Sequence, residues 1–203
     1  MKELYKDPIN FIVSGVGGQG NVMISLIVGE ALIDMGYYVA VGETYGSSQR
    51  GGSVMSHVRI SAGKQYGPLI PEGQADVIMG MEPIETLRMF RQFGNEQVVT
   101  IVNPRPIPAV GMMYDNYPDV DSLLQQIRSV SSRTYVVNAT EEAQKLGNPI
   151  LANMILIGSL VQTGLLPLGE ANLKSVIEGM FPKAIAVNMQ ALKTGMQLIK
   201  QQV

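Results

Sequence analysis

The 203-residue chain contains no cysteine and a single histidine. Without cysteine there is no disulfide, no thiolate nucleophile, no cysteine-held zinc and no cysteine-ligated iron–sulfur cluster on this chain. One histidine rules out a two-histidine metal site and leaves His57 as the only imidazole for acid–base chemistry. Charge is also scarce, at 16% of residues against about 25% in an average globular domain. Either a partner covers some of the surface, or glycine and neutral polar residues keep it soluble. The partner is the favoured reading, because the large apolar segments show no clear polar face. The formal net charge is -2 and no run of basic residues occurs, which excludes a nucleic-acid or anionic-membrane surface. The first residues mix Lys2, Glu3, Lys6 and Asp7 with a short apolar run. That is not a secretory signal, so a cytoplasmic location is expected.

One stretch imitates a membrane span, Ile150 to Leu168. It contains Asn153, Gly158, Ser159, Gln162, Thr163 and Gly164 and has no flanking basic anchors, so a buried helix is the expectation.

The order of elements points to an α/β fold. Asn10 to Ser14 reads as a buried first strand that stops at a glycine cluster, and Asn21 to Met35 as a helix ended by Gly36. Asn21 and Ser25 lie nearly opposite Glu30 and Asp34, so this helix has no single solvent face. A sheet is expected on one side and another chain on the other. Tyr37 to Val41 reads as the second strand, followed by a glycine-rich loop from Gly42 to Gly52. From Ser53 to Ser61, Val54, Ser56, Val58 and Ile60 alternate with Ser53, Met55, His57 and Arg59, a half-buried strand with a polar outer face. Strands at Asp76–Gly80, Gln97–Val102 and Thr134–Asn138 and helices at Pro83–Phe93 and Leu123–Val130 follow. Beyond Ala139 only helices are expected, the last with an apolar seam of Ile185, Met189, Leu192, Met196 and Ile199. The expectation is a three-layer Rossmann-like domain with a mixed, mostly parallel sheet. Residues 1–203 form one domain, in which a helical region, 139–203, packs on a layered α/β region, 1–138.

Gly15, Gly17 and Gly20 fit G-x-G-x-x-G between a strand and a helix, and Gly18 and Gln19 complete the turn. Such a turn exposes backbone N–H groups at a helix amino end to an anion. The acidic ribose partner of a dinucleotide site usually follows about 20 residues on. Here the candidate is Glu43, further away than that, so the match is partial. A dinucleotide, another cofactor phosphate and a purely structural turn all remain open. Nucleotide hydrolysis does not, because Asn21-Val22 stands where a P-loop needs lysine and a hydroxyl. His57 has no nucleophile turn to serve and reads as a surface or interface residue. Ser48, Gln49, Arg50, Gly51 and Gly52 can form a compact anion loop around one guanidinium or an exposed, solvated one. Both glycine loops follow strands, so they can converge at the carboxyl edge of the sheet with Asn103.

Taken together, Gly15-Val16-Gly17-Gly18-Gln19-Gly20, Ser48-Gln49-Arg50-Gly51-Gly52-Ser53-Val54, Ser56-His57-Val58-Arg59, Pro68-Leu69-Ile70-Pro71, Ala75-Asp76 and Glu82-Pro83 with Glu85-Thr86-Leu87-Arg88 resemble the gamma-type subunits of 2-oxoacid:ferredoxin oxidoreductases. The pattern is most similar to that of the indolepyruvate type, with a departure at Tyr45-Gly46-Ser47, where that type commonly reads His-Gly-Met. The resemblance implies a subunit of a complex that decarboxylates a 2-oxoacid oxidatively with coenzyme A as cosubstrate, giving acyl-CoA, CO2 and reduced ferredoxin. It implies that this chain alone binds no cofactor and is inactive alone. Thiamine diphosphate and iron–sulfur clusters belong on a larger catalytic partner, with ferredoxin as acceptor. The glycine loops and Arg50 would shape the active-site entrance or the coenzyme A approach. An isolated chain can self-associate as a homodimer through its apolar helix. The alternatives are a self-contained NAD(P)-binding oxidoreductase and a dinucleotide-binding regulatory module.

Overall fold

The computed structural model describes residues 3–45, 51–108, 111 and 113–202. Among them, β1 (Ile9–Val16), β2 (Tyr38–Tyr45), β3 (Ser53–Ser61), β4 (Val77–Gly80), β5 (Val99–Val102) and β6 (Arg133–Val136) form one sheet in the order β2-β3-β1-β4-β5-β6. β4, β5 and β6 continue parallel from β1, while β3 lies antiparallel to both β1 and β2. Helix α1 (Asn21–Asp34) covers one face together with α5 (Ala152–Thr163). Helices α2 (Pro83–Phe93) and α3 (Val120–Val130) cover the other. α4 (Ala139–Lys145), α6 (Glu170–Met180) and α7 (Ile185–Lys200) complete the helical region. The mixed, mostly parallel α/β architecture expected from the sequence is the one found.

Burial of apolar side chains on both faces holds the layers together. Phe11 and Val13 of β1 point to α1, while Ile12 between them points to α2, the two-residue alternation of a strand. Each is fully buried, which favours folding by about 1.5–3 kcal/mol per side chain. The main cluster contains Ile24 and Val28 of α1 together with Ile155 of α5, Leu173 of α6 and Leu192 of α7, so the C-terminal helices share the core of the sheet. α5 is buried along Ala152–Val161, and no helix among the described residues is long and apolar enough to cross a membrane.

Several local readings are corrected. β1 runs on through Gly15 and Val16, and β2 through Gly42 to Tyr45, because β3 pairs with every residue of both. The hairpin is β2–β3, and Glu43, expected in the loop from Gly42 to Gly52, is a strand residue. The second face of β3 is covered rather than polar and outward, with Met55 and His57 buried against α2 and Ile70. The expectation that α1 lacks a solvent face is corrected: Leu26, Glu30, Ile33 and Asp34 form one exposed stripe, and the rest of its side away from the sheet is covered by α5 and α6 of the same chain. In α7 the buried line is Asn188, Ala191, Leu192, Gly195 and Ile199, and Met189 and Met196 only flank it. The cause is close backbone packing. A Cβ on Gly195 would lie 1.9 Å from the Ile155 carbonyl oxygen, and one on Gly158 would lie 2.0 Å from that of Leu192.

Candidate functional site at the carboxyl edge of the sheet

The glycine turn sits where β1 hands over to α1, and its own side chain closes it. Oε1 of Gln19 accepts the Val16 N–H at 2.6 Å, and Nε2 donates to the Met81 carbonyl at 3.1 Å. Gln19 thus spends both ends of its carboxamide inside the protein, tying the turn to the end of β4. Gly15 is required for this, since a Cβ there would lie 2.7 Å from Gln19 Oε1 and 2.7 Å from the Met81 Cβ. Gly20 caps α1 with φ at 90°, and its Cα presses on Asn153 of α5, where a Cβ would meet the amide nitrogen at 2.1 Å. A side chain is therefore excluded at Gly20 by conformation and by space. No side chain caps the amino end of α1 and no acidic residue lies in its first turn, so its positive dipole end is uncompensated by this helix's own side chains.

The second glycine loop joins the first. Gly17 N–H donates to the Gly52 carbonyl at 2.7 Å, and Gly51 N–H donates to the Gly17 carbonyl at 3.2 Å. This continues the β1–β3 ladder past the strand ends. Ser48, Gln49 and Arg50 lie outside the described residues. Asn103, at the end of β5, is buried and donates to the Met81 carbonyl at 3.2 Å and to Thr140 Oγ1 at 2.8 Å. Gln19 and Asn103 therefore meet on one carbonyl, and the structure brings Gly15, Gly17, Gly18, Gln19, Gly20, Gly51, Gly52 and Asn103 to one edge. Glu43 is set apart. It pairs with Ser56 of β3, which pairs in turn with Val13 of β1, so it stands two strands, about 10 Å, from the glycine strand. In a dinucleotide fold the strand beside the glycine strand is parallel and carries the acidic residue. Here the antiparallel β3 stands between the glycine strand and the strand that carries Glu43.

A buried acidic cluster at the same edge was not singled out as a site from the sequence. Glu82 caps α2: Oε1 accepts the Glu85 N–H, and Oε2 accepts the Tyr117 hydroxyl at 2.5 Å. Burial pushes the Glu82 carboxyl above the usual carboxylate range, against the pull of the Tyr117 and backbone hydrogen bonds. Burial and the Glu82 carboxylate likewise push the Tyr117 phenol up. Glu85 accepts the Ser53 hydroxyl at 2.5 Å and pairs with Arg88 at 3.2 Å. The residue that follows Gly52 is thus pinned to α2, while Gly52 itself is bonded to the glycine turn. The legible signal was Glu82-Pro83, a cap before a first-turn proline; that Ser53 and Tyr117 close on these carboxylates depends on long-range contacts.

His57 takes no part in this edge. It is buried in the α2 face, accepts the Ile70 N–H on Nδ1 at 3.3 Å and packs edge-on against Phe93 with ring centres 5.3 Å apart. Burial lowers its pKa from the ordinary value of 6.5. The surface or interface role expected for it is corrected: α2 and the segment at Ile70 cover it. No group of three or more metal-ligating side chains occurs among the described residues.

The family model for pyruvate ferredoxin/flavodoxin oxidoreductase matches residues 10–198. The chain is 40% identical over 190 residues to indolepyruvate oxidoreductase subunit IorB of Archaeoglobus fulgidus, covering 92% of this chain and 93% of that protein. Its fold is similar to that of the keto/oxoacid ferredoxin oxidoreductase gamma subunit from Geobacter sulfurreducens PCA. The TM-score is 0.68 at 22% identity, over 95% of this chain and 99% of that one. It is also similar to 2-oxoglutarate:ferredoxin oxidoreductase from Magnetococcus marinus, a structure with 2-oxoglutarate, coenzyme A and succinyl-CoA bound. There the TM-score is 0.75 at 22% identity, over 97% of this chain and 32% of that longer chain.

Proposed function

This chain belongs to the pyruvate ferredoxin/flavodoxin oxidoreductase family, and we propose that it is the gamma-type accessory subunit of a 2-oxoacid:ferredoxin oxidoreductase acting on indolepyruvate or another arylpyruvate. The observation that carries this reading is the end-to-end likeness to an indolepyruvate oxidoreductase subunit. In the proposed reaction the 2-oxoacid loses CO2, its acyl group passes to coenzyme A, and two electrons leave to ferredoxin. With no cysteine in the sequence, the iron–sulfur clusters must be held by a larger partner chain, to which we also assign thiamine diphosphate. This chain would contribute a preformed edge: two glycine loops fastened to each other at Gly17 and Gly52, with Arg50, the residue before Gly51, supplying a guanidinium for coenzyme A phosphates or for the partner.

Purification of the untagged complex under anaerobic conditions, followed by reconstitution from separated chains, tests this. Coenzyme A-dependent reduction of ferredoxin with indolepyruvate is expected from the reassembled complex and from neither chain alone. Arg50→Ala should lower that turnover about tenfold, the scale of one lost charged hydrogen bond, with the thermal midpoint of the chain unchanged. Wild-type turnover in the Arg50→Ala complex would remove the arginine's assignment. A chain that purifies alone and binds a nicotinamide nucleotide would replace the whole reading.

A further inference from the structure

The second glycine loop re-enters the sheet under two independent constraints. On one side, Gly17 and the pair Gly51 and Gly52 exchange backbone hydrogen bonds at 2.7 and 3.2 Å. On the other, the Ser53 hydroxyl donates to Oε2 of Glu85 at 2.5 Å. Ser53 is also the β3 partner of Val16, the last residue of β1. The backbone bonds therefore tie the loop end to the glycine turn, and the side-chain bond ties the same end to α2.

Packing alone does not account for a carboxylate at Glu85. The residue is 1% exposed, and a buried carboxylate is disfavoured unless it is paired and hydrogen-bonded. An apolar side chain would fill the space without that penalty. The base from which Glu85 acts is fixed. Its N–H is taken by Oε1 of Glu82, and Thr86 donates to the Glu82 carbonyl at 2.6 Å. Thr86 also leaves no room for a Cβ on Gly80, so the first turn of α2 rests directly on the end of β4. Arg88, with a side chain 57% exposed, pairs with Oε2 at 3.2 Å from the solvent side. Among the described residues, Ser53 is then the only donor from outside α2 that the Glu85 carboxylate holds.

We propose that Glu85 is a positioning residue for coenzyme A: by holding Ser53 it keeps Gly51 and Gly52 against the glycine turn before the cosubstrate arrives. The proposal rests on the reading that the two glycine loops receive coenzyme A. An edge preformed in this way loses little conformational freedom on binding. Once the hold is released, part of the binding energy goes into ordering the loop end. Coenzyme A then binds more weakly, while the reacting groups on the partner chain are untouched. A loss of that kind raises KM and leaves kcat in place.

Steady-state kinetics of the reconstituted complex, with coenzyme A and an arylpyruvate varied in turn, test this. Ser53→Ala should raise KM for coenzyme A about tenfold, the scale of one hydrogen bond to a charged group. Its kcat and its KM for the 2-oxoacid should match wild type. Ser53→Thr, which keeps the hydroxyl, should restore the wild-type constant. Glu85→Gln, which retains an oxygen to accept that hydroxyl, should raise KM for coenzyme A less than Glu85→Ala does. A contact that only stabilises the fold would lower the thermal midpoint of the chain without this split between the two substrates. Ser53→Ala kinetics equal to wild type, a rise in both Michaelis constants, a fall in kcat, or no rescue by threonine would each overturn the proposal and leave the functional reading standing. A wild-type complex without coenzyme A-dependent turnover of an arylpyruvate would overturn that reading and the proposal with it.

Discussion

At the residue scale, the carboxyl edge is built from side chains that spend their polar atoms on the protein itself. Gln19 is the clearest case, since the residue that looks free in a glycine motif is the strut that closes it. A ligand approaching the turn therefore meets backbone, not the glutamine. His57 shows the same economy on the α2 face, with a consequence for pH. Its folded pKa lies below the ordinary 6.5, so the unfolded chain takes up a proton before the native chain does. Its contribution to stability is complete above pH 6.5 and is lost as the pH falls below that value through the folded pKa. Glu82 is displaced the other way, so its contribution fades as pH rises. In a comparison of wild type with His57→Gln the Glu82 effect is common to both chains and cancels. Urea unfolding midpoints are expected to fall more steeply for wild type than for His57→Gln as pH drops from neutral. Parallel profiles would show that His57 titrates as freely in the native state as in the unfolded one.

Among the elements, the α5–α7 pair is the most demanding contact in the fold. Gly158 and Gly195 place each helix directly against the other's carbonyl oxygens, and Ser159 adds a hydrogen bond to the Gly195 carbonyl at 3.2 Å. Gly195→Ala would drive a methyl group into backbone that cannot rotate away. It should cost about 3 kcal/mol, the upper end for overpacking a core. Gly179, in α6, has nothing within 4 Å of its would-be Cβ. The same substitution there removes only the entropy burden of glycine and should stabilise by about 0.5–1 kcal/mol. Chemical denaturation of the two variants is expected to give shifts of opposite sign. The element also explains why the apolar seam expected for α7 was misplaced: bulky side chains mark a helix face by size, whereas here the tightest face is the one with the least side chain.

The whole molecule ties its two sequence segments into one core, with Val77 and Met79 of the sheet in the same cluster as Leu160, Val176 and Ile199. Separating them would expose both surfaces, so urea unfolding should follow one transition, with coincident curves from circular dichroism and tyrosine fluorescence. Two resolved steps would mean that residues 139–203 melt independently. Leu26 and Ile33 remain exposed on α1 at 46% and 56%, apolar surface on the outside of the first helix of a sparsely charged chain. By itself the sequence determined the absent chemistry, the alternation of strands and helices, a buried helix within Ile150–Leu168 and the ordered motifs that resemble one family. Those are local properties: a missing thiol, a hydrophobic period and a string of residues need no partner in space. Only the tertiary structure decided that β3 inserts between β1 and β2, which moves Glu43 away from the glycine turn. It alone folded Gln19 inward, buried His57, joined Gly17 to Gly52 and gathered Ser53 and Tyr117 onto two carboxylates. Each of these depends on strand order, or on contacts between residues dozens of positions apart or within a turn whose shape such contacts fix. A linear pattern holds no distance across the chain, and so it cannot say which of its polar groups will be used up.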